Sequence, residues 1–119
     1  MTNDQLWHIL RELRQAFATL YGDKLAQMIL YGSQARGDAT PESDIDVLVV
    51  LHGEVNPYKE IIFTEDVTAA LSLKYDTFIA CVYVSAKRWN EPDSPFLMNV
   101  IREGVAFFDT ETAIPVEPR

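Results

Sequence analysis

Apolar residues recur at three- and four-residue steps through Leu6, Ile9, Leu10, Leu13, Phe17 and Leu20. That period lays a single apolar stripe along a helix. Thr2 or Asn3 can cap its start, and Tyr21-Gly22-Asp23 stops it. The pattern then changes. Leu25 to Tyr31 is short and mostly apolar, which predicts a buried strand, and residues 44–51 (DIDVLVVL) predict a second, β-branched one. Asn56-Pro57 opens a second helix that runs to about Lys74, with proline at the first helical position. Phe78 to Val84 predicts a third strand, and residues 86–90 a turn or short helix. Ser94-Pro95 starts another helix, with Phe96, Leu97, Val100 and Ile101 on one face and Gly104 expected in the left-handed position after it. Val105 to Phe108 predicts a fourth strand.

The resulting order predicts an α/β (or α+β) fold, a small mixed sheet of about four strands with helices packed on it. At 119 residues the chain has room for one domain, expected over 1–108, with 109–119 as a C-terminal tail that frays. A content of 48% hydrophobic and 24% charged residues argues against disorder. No apolar run approaches the ~18 residues of a membrane span, and the N-terminus lacks the pattern of a signal peptide. The single cysteine fits a reducing compartment, so a cytoplasmic location is expected.

The net charge of −8 is unevenly spread. Residues 1–37 hold four basic and three acidic residues, whereas 38–119 hold six basic and fifteen acidic ones. This disfavours direct binding of nucleic acid through phosphates and suits a basic partner or a bound cation.

The chemistry concentrates in Gly32 to Val50, GSQARGDATPESDIDVLVV. Gly32 permits close approach of backbone or phosphate. Ser33 offers a hydroxyl and an N–H where a helix start would point further N–H groups at an anion. Asp44 and Asp46 stand at alternate positions of a strand, so their carboxylates share a face. Two like charges on a core strand are costly without a cation. Oxygen ligands favour Mg²⁺, which takes one or two carboxylates and completes its shell with water and phosphates. A phosphate binder beside paired carboxylates points to metal-assisted phosphoryl or nucleotidyl transfer.

Gly-Ser, ten residues (34–43), then Asp-x-Asp resembles the DNA polymerase β-like nucleotidyltransferase superfamily, and its minimal nucleotidyltransferase (MNT) group in particular. The resemblance implies that Gly32 and Ser33 hold the β- and γ-phosphates of a nucleoside triphosphate. It implies that Arg36 braces the phosphates or the loop, that Asp44 and Asp46 bind two divalent ions, and that Ser43 fixes the Asp44 carboxylate. An acceptor hydroxyl would attack the α-phosphorus and pyrophosphate would leave. The superfamily usually carries a third carboxylate on a neighbouring strand. Here Asp76 at the start of the third strand is the acid available, either as metal ligand and base or as a turn residue; if the position belongs mid-strand, Ala80 fills it. MNT proteins are commonly paired with HEPN ribonucleases as antitoxin and toxin. The resemblance therefore implies an ATP-dependent protein adenylyltransferase that places AMP on a tyrosine of a HEPN-type partner. The alternatives are a small-molecule, aminoglycoside-like nucleotidyltransferase and an antitoxin that acts by binding alone.

The remaining polar residues carry less. His8 is read as structural or solvated, His52 as a strand end, and Cys81 as a small buried side chain. Lys87, Arg88 and Trp89 are read as a solvated turn with one packed tryptophan.

Overall fold

A computed structural model describes residues 1–108 and, as backbone, the short strand 113–115. In chain order the elements are α1 (Asn3–Tyr21), a 3₁₀ turn (Gly22–Lys24), β1 (Leu25–Tyr31), α2 (Ser33–Arg36), β2 (Ile45–Leu51), α3 (Pro57–Tyr75), β3 (Ile79–Ser85), α4 (Ala86–Asn90), α5 (Pro95–Glu103), β4 (Val105–Phe107) and β5 (Ala113–Pro115). The strands form one sheet in the order β3-β2-β1-β4-β5. β1 is antiparallel to both β2 and β4, while β2 and β3 run parallel. The parallel pair needs a long crossover, which α3 supplies.

Local chemistry explains the helix limits. Thr2 and Gln5 make a reciprocal capping box, with Thr2 N–H donating to Gln5 Oε1 (2.7 Å) and Gln5 N–H to Thr2 Oγ1 (3.1 Å). Asn56 caps α3, and Ser94 caps α5 by accepting from Leu97 N–H (3.2 Å). Gly104 departs from expectation. It is extended (φ −73°), and glycine is needed there for closeness: a Cβ would meet Val100 O at 2.5 Å and Ile29 Cγ2 at 2.7 Å. The sheet also gains a fifth strand inside the expected tail, where Ala113–Pro115 pairs with β4. The other tail residues, 109–112 and 116–119, lie outside the described residues.

Alternation on the strands builds two cores, one on each face of the sheet. Ile45, Val47, Val49 and Leu51 of β2 face α1 and α3, where Leu10, Leu13 and Phe17 are fully buried. Leu48 and Val50 point the other way, onto Trp89 of α4 and Leu97, Val100 and Ile101 of α5. Asp46 shares that second face by parity. β2, between β1 and β3, is therefore buried on both faces along most of its length, and α4 and α5 leave its N-terminal end less covered: Asp46 is half-buried and Asp44 exposed.

Phe17 carries no exposed surface and its ring stacks on Tyr83, 6.5 Å between centroids. Phe17→Ala should therefore cost about 3–5 kcal/mol. Urea denaturation should show a lower midpoint at unchanged slope; a loss below about 1 kcal/mol would contradict this packing.

Candidate active site

The site forms where β1 ends and β2 begins. The antiparallel register sets Tyr31 opposite Asp46, so the Gly32-Ser33 loop leaves β1 directly beside the carboxylate. Gly32 adopts φ +74°, a region that favours glycine. A Cβ on Gly32 would overlap Asp46 Oδ2 outright. The glycine thus makes room for a carboxylate of this chain. Ser33 opens the single turn of α2, so its N–H and that of Gln34 have no intrahelical acceptor. Gly37 closes the turn in the left-handed conformation.

Asp44 stands one residue before β2, because the ladder begins with Ile45 N–H donating to Phe78 O (2.9 Å). It remains in step with Asp46 and charge-coupled to it. Burial raises the Asp46 carboxyl above its usual range, and the Asp44 charge raises it further; Arg36 acts in the opposite sense. Tyr31 is pushed up to about 12, chiefly by burial and then by Asp46. Among the described residues Asp46 receives no hydrogen bond. A half-buried carboxylate beside a second one, without a donor, suits a cation. This donor set of hard oxygens fits Mg²⁺, provided that substrate phosphates complete the shell.

The other candidate residues fall as follows. Arg36 Nε donates to Asp38 Oδ2 (3.2 Å), and Nη1 donates to Glu103 Oε2 (3.2 Å) and Oε1 (3.4 Å). Ser43 does not hold Asp44. Its hydroxyl accepts from Thr40 N–H (2.8 Å) and closes the turn before the strand. Asp76 caps the C-terminus of α3 at φ +50° and is exposed. It lines a cavity of about 500 Å³ together with Asp44 and Phe78. The β3 residue paired with Asp46 is Ala80, and no three acidic, histidine or cysteine side chains cluster closely enough for a metal among the described residues.

His52 lies at the far end of β2 from the carboxylates, its N–H bound to Lys24 O (2.8 Å). His8 meets the edge of the Tyr75 ring at 6.1 Å. Trp89 is buried, and Arg88 pairs with Asp93 (2.9 Å). A larger cavity of about 700 Å³, lined by Gly53, Lys87 and Arg88, sits at the opposite end of the β2–β3 pair and lacks paired carboxylates. Cys81 packs against the α1–α3 core, and burial pushes its thiol up to about 12. Glu103 is the site residue that sequence reasoning missed. It lies 71 positions from Gly32, and no local spacing marks it.

The Asp46 shift carries a stability consequence. The folded chain holds this proton to higher pH than the unfolded chain does, so stability falls as pH rises through the two values and stays reduced above both. Asp46→Asn should therefore raise the melting temperature in chelator at pH 7. The gain should shrink toward pH 4, near the ordinary carboxylate value. Thermal melts at the two pH values measure it, and a variant that melts lower at pH 7 would contradict it.

Comparison with known proteins identifies the family. A family model described as "Nucleotidyltransferase domain" matches residues 10–93. A Methanocaldococcus jannaschii protein bearing the name "Putative protein adenylyltransferase" is 35% identical over 96 residues, 80% of this chain and 90% of its own. In fold, the chain is similar to a Sulfolobus solfataricus protein described as a "putative nucleotidyltransferase" (TM-score 0.63, 18% identity, 92% of this chain and 86% of that one). It is also similar to a chain in a crystal structure of a toxin–antitoxin with AMP-PNP (TM-score 0.61, 18% identity, 87% and 73%). The family model and the 35% identical relative together show that the chain belongs to the nucleotidyltransferase domain family.

Proposed function

We propose that this nucleotidyltransferase is an MNT antitoxin that moves AMP from ATP onto a tyrosine hydroxyl of a HEPN-type ribonuclease partner and so silences it. The observation that carries the reading is the Asp44–Asp46 pair beside a glycine loop that opens a helical turn. The name of the M. jannaschii relative supports a protein acceptor, and a fold neighbour comes from a toxin–antitoxin structure with an ATP analogue. The acidic balance of residues 38–119 suits a basic partner.

In this reading Gly32 and Ser33 hold the β- and γ-phosphates, and Arg36 steadies them. Asp44 and Asp46 would hold Mg²⁺, two ions in the full site, which would supply charge neutralisation around the α-phosphate. The tyrosine oxygen forms a bond to the α-phosphorus, the bond to the β-phosphate bridging oxygen breaks, and pyrophosphate leaves. The tyrosine proton needs an acceptor. Ala80 beside Asp46 offers none, so Asp76, on the wall of the Asp44 cavity, is the proposed base. No helix among the described residues is long and apolar enough to cross a membrane, and a cytoplasmic site of action is part of the proposal.

Two experiments test this. The purified partner, incubated with the chain, ATP and Mg²⁺, should gain one or more AMP units in mass, and Asp44→Asn with Asp46→Asn should abolish the gain. Tight binding without any mass change would leave silencing by occlusion in its place. Asp76→Asn should slow single-turnover transfer by at least about a hundredfold at unchanged ATP affinity, the scale of a lost general base. A rate within about twofold of wild type, far inside that expected loss, removes Asp76 from the catalytic set.

A further inference from the structure

We propose that Glu103 is a positioning residue that clamps both ends of α2 and so presents the loop and Arg36 to the triphosphate. The proposal rests on the nucleotide-binding reading above. Its observation is separate from the motif. One carboxylate accepts from Gly32 N–H (3.0 Å), at the start of the turn, and from Arg36 Nη1 (3.2 and 3.4 Å), at its end.

A helix of four residues cannot stabilise itself, because nucleation fixes several dihedrals for one hydrogen bond. Something outside the turn has to hold it, and Glu103 touches both of its ends. Glu103 itself is held firmly. It ends α5, whose Leu97, Val100 and Ile101 are buried against the sheet, and Gly104 behind it packs on Ile29. Its side chain retains 22% of its exposure, so the bonds to it are partly shielded from water. Asp38 takes Nε and Glu103 takes Nη1 of Arg36, which leaves Nη2 as the donor that these carboxylates do not use. A guanidinium gripped along two edges presents its remaining donors in a fixed direction, where a free one would have to be ordered by the ligand. A third acid in this place also has a cost, since its charge helps to raise Asp46. An acid kept beside an anion-binding loop is explained by the clamp.

The test uses the full chain. Glu103→Ala should weaken Mg²⁺-ATP binding, by calorimetry, at least about tenfold, the effect of a lost charge-assisted contact. Glu103→Gln, which keeps an acceptor, should recover most of that loss. In an Arg36→Ala background the further loss from Glu103→Ala should shrink to less than about threefold, as expected for two residues of one network. Without nucleotide, the Gly32 amide resonance should move and exchange faster in Glu103→Ala. Affinity within about twofold of wild type, or full additivity with Arg36→Ala, overturns the proposal. Tighter binding by Glu103→Ala also overturns it, by making Glu103 a competitor of the phosphates. If the wild type itself binds no Mg²⁺-ATP, the nucleotide reading falls with it; if the wild type binds and the variants match it, only the role of Glu103 falls.

Discussion

The site depends on a missing methyl group. Asp46 sits at the end of the most buried strand, opposite the point where β1 gives way to the loop. Any Cβ at position 32 would occupy the volume of its carboxylate. Glycine there fixes two things at once. The backbone can turn at positive φ into α2, and the carboxylate can face the opening without being displaced. The register of β1 on β2 brings Gly32 and Asp46 together, and the start of α2 lies directly beside the carboxylate that Asp44 also charges.

The rest of the molecule keeps the contact in place. Two cores on opposite faces grip β2, so the strand carrying Asp46 has little freedom to shift. A carboxylate near the end of such a strand is held half-buried by the backbone that carries it. Burial and the Asp44 charge both work against its ionised form.

Much of this was legible in the sequence. The limits of β1, the capped starts of three helices and the Gly-Ser and Asp-x-Asp elements are local patterns, and local patterns are what a sequence displays. The failures have one cause as well. Local reasoning puts Gly104 in a left-handed turn because it sees conformation, whereas the constraint is room, set by Val100 O and by the side chain of Ile29, far away in the chain. Adjacency in sequence points Ser43 at Asp44, but its hydroxyl accepts from a backbone N–H in its own turn. Strand order and the fifth strand were not predicted, because register between distant segments leaves no periodic mark. Asp76 lay between two readings for the same reason: its local role as a helix cap is plain, and its distance from Asp46 is a property of the fold.

The position of α5 has a consequence for how the molecule assembles. Every residue of the Gly-Ser and Asp-x-Asp motif lies between positions 32 and 46, in the β1–β2 connection and at the start of β2, so short loop closure suffices to bring it together. Glu103 joins only when the chain returns from the far side of β3. A fragment ending at residue 93, where the family model ends, would contain the whole motif and lack Leu97, Val100, Ile101 and Glu103. Such a fragment would lack three of the eight buried residues of one core, and Gly32 and Arg36 would lose their bonds to Glu103. The span that carries the motif is therefore shorter than the span that packs around it, which includes α5.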